Sequence, residues 1–285
     1  MLYPQLQSLP EDYIKQKVDE FLLEDAPNGD FTANAIFPEA RKGKGVIEAE
    51  DSIVFAGRQV IPYFFSDTAK INMYCDDGDF IQNKATIAVI ETDVNHLLRV
   101  ERPLLNLLQR LCGVATQTRK YVELAKSSGI RILDTRKTTP GLRIFEKYAV
   151  ICGGGTNHRL DLSSGILIKD NHIAAAGSIT LAVESVKAKD YNLPIEVEVD
   201  NFEQIEEALR AEIDGILLDN FSPEKTKEAV YFIRNFPTEK KIFIESSGGI
   251  NLKNIEPYLS TGIDAISIGA LTHSAPAANI HIEFE

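Results

Sequence analysis

From residue 130 onward the chain repeats one pattern: a short apolar run rich in β-branched residues, a polar tail on that run, then a stretch of helical character. The runs are Arg131 to Thr135, Ile166 to Ile168, Ile195 to Val199, Gly215 to Leu218, Lys241 to Glu245 and Ala265 to Ile268. Their starts lie about twenty to thirty-five residues apart, the length of one strand–helix unit. Near-continuous apolar runs belong to parallel strands covered on both faces, and parallel strands need long crossovers, so few folds satisfy the pattern. It predicts an α/β barrel of six strands, two short of a complete (β/α)8 barrel.

The polar tails are the second constraint. Asp134 to Lys137, Lys169 to His172, Glu198 to Asp200, Asp219-Asn220, Glu245 to Gly249 and Ser267 to Gly269 each follow a run. In a parallel barrel the C-terminal strand ends converge on one mouth, where such folds carry their sites. The competing explanation, that these side chains only cap the following helices, is weaker for six consecutive strand ends than for one.

Charge narrows the ligand. The formal net charge is -12, yet Arg136, Lys137 and Arg143 fall within ten residues, followed by His158, Arg159, Lys169 and His172. A basic cluster at strand ends of an acidic protein suits an anionic small molecule, because nucleic acid would be repelled by the remaining surface. The N-terminal stretch lacks the apolar core of a signal peptide and no run approaches membrane-spanning length, so a cytoplasmic location is expected. Cys75, Cys112 and Cys152 are odd in number and widely spaced, which suits reduced, mostly buried thiols and neither a disulfide framework nor a zinc site.

The first 130 residues have a different texture. Glu11 to Leu23 has the spacing of an amphipathic helix, and strand-like pieces at Gly45 to Glu50, Ser52 to Phe55 and Ala85 to Glu91 alternate with Asp/Gly turns such as Asp76 to Asp79. A small α/β sandwich is expected, joined to the barrel by a long helical segment from about His96 to Ser127. Gly113 predicts a kink or break in that helix. The expected division is therefore 1–129, 130–273 and a tail, 274–285.

The strand ends suggest a chemistry. Ser246, Ser247, Gly248 and Gly249 follow the fifth run and Gly269 the sixth, each before a helical stretch, which suits a phosphate cradle built on backbone N–H groups. Glu196 and Glu198 are two apart on one strand and face the same way, with Asp219 at the next strand end. Carboxylates opposite a phosphate cradle suit Mg²⁺ held partly through substrate phosphates, with Glu198 and Asp219 as the candidates. Glu196 is equally open to a role as partner of a buried cation. Arg136, Lys137, His158, Arg159 and Lys169 form an anion-binding wall.

Glu101 to Asn106, Asp134 to Arg143, Lys147 to Val150, Gly153 to Arg159, Leu167 to His172 and Leu271 to Pro276 resemble the signature segments of the quinolinate phosphoribosyltransferase family. The likeness begins with Glu24-Asp25 and Gly29 to Thr32 and spans nearly the whole chain in the family's order. It implies the conversion of quinolinate and phosphoribosyl pyrophosphate to nicotinate mononucleotide, pyrophosphate and carbon dioxide, with Mg²⁺ and no organic cofactor. It also implies an N-terminal α/β sandwich, an incomplete barrel, a C-terminal tail returning to the sandwich, and a homodimer with shared active sites.

By the same resemblance, Arg102 serves the partner's site. Arg136, His158 and Arg159 bind the quinolinate carboxylates, Thr135 joins the substrate-binding set, and Lys137 and Lys169 lie between the two substrates. Glu198 and Asp219 stand on the ribose and metal side, acting with the two lysines in catalysis. Ser246, Ser247, Gly248, Ser267, Ile268 and Gly269 cradle phosphate. Cys112 departs from the serine common in relatives. A barrel aldolase using Lys137 or Lys169 as a Schiff base, a paralogue with another acceptor, and a non-catalytic binding protein are the competing readings.

Overall fold

The computed structural model describes residues 2–285, and the chain divides into two compact units. The N-terminal unit is assembled from Leu6–Arg119, Ile144–Gly154 and Ala275–Glu285. The barrel unit comprises the segment ending at Gln5, Lys120–Arg143 and Gly155–Ser274.

The N-terminal unit begins with helices α1 (Glu11–Asp25) and α2 (Phe31–Ile36), the second capped by Asp30, whose carboxylate accepts the Ala33 N–H at 2.9 Å. Strands β1 (Lys42–Ala49), β2 (Ile53–Val54), β3 (Lys70–Met73), β4 (Phe80–Ile81) and β5 (Thr86–Asp93) follow. The chain's last strand, β12 (Ile280–Phe284), completes an antiparallel sheet of order β12-β1-β5-β3, while β2 and β4 form a separate pair. Neither β3 nor β4 stands out in the sequence. The alternating exposure of β3 along a sheet edge explains why, since an edge strand half in water needs no strong apolar pattern.

Helix α3 runs unbroken from Val94 to Ala125, with both Pro103 and Gly113 inside it. The expected interruption at Gly113 is therefore not found. A Cβ there would lie 2.1 Å from the Pro276 carbonyl oxygen, so the glycine admits the returning tail against the helix. Two further contacts fix that tail: Ala278 N–H donates to Gln109 O at 2.9 Å, and the Gln109 side chain donates to Ile280 O at 2.8 Å. Helix α4 (Arg143–Cys152) belongs to this unit from Ile144 on, through the Glu146 ion pair with Arg110 (2.7 Å) and the Tyr148 hydroxyl on Asp77 (2.8 Å). Cys75, Cys112 and Cys152 are free thiols pushed up in pKa by burial.

The barrel unit is a six-stranded parallel sheet built from β6 (Arg131–Leu133), β7 (Ile166–Ile168), β8 (Ile195–Val199), β9 (Gly215–Asp219), β10 (Phe243–Ser247) and β11 (Ala265–Ser267). The spatial order is β6-β11-β10-β9-β8-β7. From β7 to β11 consecutive strands are neighbours, β11 has come round to pair with β6, and β6 and β7 remain as the two edges of an incomplete barrel. A single parallel bridge from Leu133 to Thr156 lies on the free edge of β6. Helices α5 (Asp170–Ala176), α6 (Ile179–Lys187), α7 (Phe202–Arg210) and α8 (Pro223–Asn235) follow β7, β8 and β9, and the four-residue α9 (Ala270–His273) follows β11. The Gly248-Gly249 pair after β10 has positive φ (98° and 64°) and leads into a turn and a distant 3-10 helix, not directly into a helix as expected.

Candidate functional site

Period-two alternation decides which strand residues meet. Register pairs Glu198 with Leu217, Glu245 with Leu217 and Ser247 with Asp219, so these side chains share the inner face. The helices after β8 and β9 are capped by Asn201 (2.9 Å to Gln204 N) and Ser222 (3.3 Å to Lys225 N). Glu198 and Asp219 are thereby released from the capping role that the sequence left open for them.

A cavity of about 770 Å³ lies at these strand ends. Its cationic lining is Arg136, Lys137, Arg159 and Lys169; Glu198 and Asp219 oppose them, with Thr135, His158, Ser247, Gly248, Ser267, Ile268 and Gly269 completing the expected set. Two expected residues are elsewhere. Ser246 is on β10 one step out of phase with Glu245 and Ser247, so it faces the other side of the sheet, buried with its hydroxyl unpartnered among the described residues. Arg102 is on α3 in the N-terminal unit with a side chain 61% exposed, 3.7 Å from Glu101. His172 also stays out of the cavity lining; its Nδ1 accepts the Lys169 N–H at 3.0 Å and so caps α5.

Inside the cavity Lys169 Nζ is ion-paired with Glu198. Asp219 accepts the Asn220 side-chain amide at 2.7 Å, and burial together with the neighbouring carboxylates of Glu198 and Asp200 holds its pKa above the usual range. Such crowding of carboxylates at adjacent strand ends suits a hard divalent cation bound with substrate phosphates, so Glu198 and Asp219 fit the expected Mg²⁺. On the opposite wall the Arg136 Nε–H is buried with no acceptor among the described residues, a donor left for a ligand. Arg159 is almost fully buried, donates to Gly165 O at 3.1 Å, and is lowered in pKa by desolvation.

His158 lines this wall, but its imidazole also faces inward. Its Nε2 lies 3.2 Å from Glu196 and 3.7 Å from Glu245, both wholly buried, and its ring stacks on Tyr3 at 4.5 Å. Glu196 is thus buried against the His158 imidazole and the Tyr3 hydroxyl and does not line the cavity; these two groups stand in place of the buried cation that its spacing had left open as a partner. Burial and the Glu196 charge push Glu245 up to about 8.

The cavity also contains Gly249 of the expected cradle and Asn220 of the fourth polar tail, together with Asn251, Ala270 and His273, to which the sequence had assigned no role. Asn220 has φ 56°, and its side chain occupies the place that a Cβ on Gly248 would take, at 2.2 Å. A Cβ on Gly269 would meet the Lys137 stem at 3.0 Å and the His273 ring at 3.1 Å. The Lys137 loop is further tied to α9 by the Thr272 hydroxyl, which donates to Lys137 O at 2.7 Å.

Residues 114–283 match the quinolinate phosphoribosyl transferase C-terminal domain family and residues 30–112 the N-terminal domain family. A Mycobacterium leprae protein named nicotinate-nucleotide pyrophosphorylase [carboxylating] is 37% identical over 95% of this chain and 97% of its own length. One from Bacillus subtilis, named as a probable enzyme of the same kind, is 41% identical over 95% of this chain and 93% of its own. The solved structure of the nicotinate-nucleotide pyrophosphorylase from Francisella tularensis superposes with TM-score 0.93 at 35% identity, covering 99% of each chain. With both domain families matched in order across nearly its full length, the chain belongs to the quinolinate phosphoribosyltransferase family.

Proposed function

We propose that this chain transfers a phosphoribosyl group from phosphoribosyl pyrophosphate to quinolinate, giving nicotinate mononucleotide, pyrophosphate and carbon dioxide in NAD biosynthesis. The observation that carries the reading is the cavity itself, with four cations facing Glu198 and Asp219 at the C-terminal ends of parallel strands. A dicarboxylate and a multiply charged phosphate ester are the ligands such a wall suits, and the buried, acceptorless Nε–H of Arg136 needs one of them.

Arg136 and Arg159, with Thr135 and His158, hold the quinolinate carboxylates. Lys137 and Lys169 stand between the substrates, and Ser247, Gly248 and the Ser267–Gly269 turn receive phosphate oxygens. The quinolinate nitrogen forms its bond to the ribose C1 as the bond from C1 to the pyrophosphate oxygen breaks, and the lysines stabilise the departing charge. The pyridine nitrogen is then cationic and accepts the electron pair left when the adjacent carboxylate departs as carbon dioxide; a proton from solvent completes the ring. Glu198 and Asp219 would hold Mg²⁺ together with the substrate phosphates, and the bound ion would supply charge neutralisation for the leaving pyrophosphate. Lys169 is engaged by Glu198 and does not sit in the apolar pocket that a Schiff-base aldolase needs.

The working form is a cytoplasmic homodimer in which Arg102 reaches the partner's cavity; the exposure of Arg102 on α3 supports this. Among the described residues no helix is long and apolar enough to cross a membrane. Incubation with quinolinate, phosphoribosyl pyrophosphate and Mg²⁺ tests the function: nicotinate mononucleotide and carbon dioxide should form in equal amounts, and their absence would refute it.

A further inference from the structure

Residues 2–5 belong to the barrel unit. The Tyr3 hydroxyl donates to Glu196 at 2.6 Å, and its ring stacks on His158 at 4.5 Å with a 30° tilt. Burial and the Glu196 charge push the phenol upward in pKa, so Tyr3 remains a donor. The contact depends on Gly165, where a Cβ would lie 2.2 Å from the Tyr3 ring. Gln5 clasps the residue before His158 from both sides: its Oε1 accepts Asn157 N–H at 2.7 Å and its Nε2 donates to Asn157 O at 3.0 Å. A glutamine amide carries both a donor and an acceptor and so can grip both backbone groups of one residue, and here that loop enters the cavity with His158 and Arg159.

We infer that Tyr3 and Gln5 are positioning residues for the dicarboxylate side of the cavity, which rests on the function proposed above. Neither lines the cavity. Tyr3 fixes the imidazole of His158 from below, by stacking on it and by holding Glu196 against it. Gln5 fixes the backbone from which His158 and Arg159 extend. Asp134 secures the same segment from β6, accepting Asn157 Nδ2–H at 2.6 Å and His158 N–H at 2.9 Å, so the loop is held on two sides and the N-terminal residues supply the second. No hydrogen bond described joins either residue to the phosphate side on β9 to β11; Glu245 of β10 reaches Tyr3 only through its charge.

The test uses the full chain with Tyr3→Phe, which removes only the hydroxyl, and Gln5→Leu, which keeps volume but removes both bonds to Asn157 and the one to the Tyr3 carbonyl. Quinolinate binding is measured by calorimetry without the second substrate, and the two KM values are measured separately, with Arg159→Ala as reference. Each variant should weaken quinolinate binding and raise its KM ~3- to 10-fold, consistent with one or two loosened hydrogen bonds, while the KM for phosphoribosyl pyrophosphate stays as in the unmodified protein. Unchanged quinolinate binding in both variants, beside a weakened Arg159→Ala, would overturn the positioning role alone. A parallel rise in both KM values with a lowered unfolding temperature would also overturn it, since that marks general loosening. If Arg159→Ala itself binds quinolinate normally, the assignment of this wall and the inference built on it fall together.

Discussion

At the scale of single residues, the cavity separates into groups that touch ligand and groups that hold them. Arg136→Ala and Arg159→Ala each remove a charge-assisted hydrogen bond worth about 1.5 to 3 kcal/mol, so quinolinate should bind about 10- to 150-fold more weakly. Nicotinate, with one carboxylate fewer, should be a very poor substrate; comparable turnover in a steady-state assay would contradict the assignment. Glu198→Ala and Asp219→Ala should shift the Mg²⁺ activation curve and lower kcat/KM for phosphoribosyl pyrophosphate by about 10-fold or more, with quinolinate binding nearly unaltered. Glu245 makes a prediction about stability. Its carboxyl is raised from 4.5 to about 8, so below both values it is protonated in folded and unfolded chains alike and affects nothing. Between them the unfolded chain gives up the proton that the folded chain keeps, and stability falls by up to about 1.4 kcal/mol per pH unit as pH rises. Glu245→Gln lacks this penalty, so its stability relative to the unmodified protein, measured by urea unfolding at pH 5, 6, 7 and 8, should climb with pH; a flat difference would exclude a shared proton here.

At the scale of elements, the parallel strands were legible because burial on both faces leaves an apolar run that sequence alone reveals. Strands β7 and β8 coincide with their runs, Ile166–Ile168 and Ile195–Val199. The fifth run was read two residues early, as Lys241 to Glu245, whereas β10 spans Phe243–Ser247 and pairs Phe243 with Gly215. The short strands β3 and β4 escaped notice because they are stabilised by their neighbours and not by their own composition. Gly113 shows the converse error, where a local propensity was trusted and a tertiary contact decided. Gly113→Ala should improve helix propensity by about 0.8 to 1.0 kcal/mol yet destabilise the protein overall by about 1 to 2 kcal/mol, because the new methyl must displace the Pro276 carbonyl. A raised thermal midpoint would mean that the tail yields.

At the scale of the whole molecule, the proposed homodimer would bring Arg102 of one chain to the cavity of its partner. Arg102→Ala and Lys137→Ala chains should each be inactive, and mixing them should restore activity, because each heterodimer then contains one cavity with both residues intact. Size-exclusion chromatography and tagged subunits establish whether exchange occurs. With exchange demonstrated and no activity recovered, Arg102 has no role across an interface.

The sequence by itself determined the parallel barrel, the family and the residue types of the cavity wall, because apolar runs, their spacing and the polar residues that end them are all local features. Arg136, Lys137, Lys169, Glu198 and Asp219 were legible for that reason: each lies in the last residues of a strand or shortly after its C-terminal end. What only the tertiary structure decided depends on residues far apart in the chain or on the phase of a strand. Ser246 and Ser247 are adjacent and chemically alike, yet strand alternation gives the cavity to one and the covered face to the other. Glu196 and Glu198 share a face but differ in depth, so one meets Tyr3 and His158 in the core and the other meets Lys169 at the mouth. No local pattern places Tyr3 beneath a histidine 155 positions later; packing inside the barrel does.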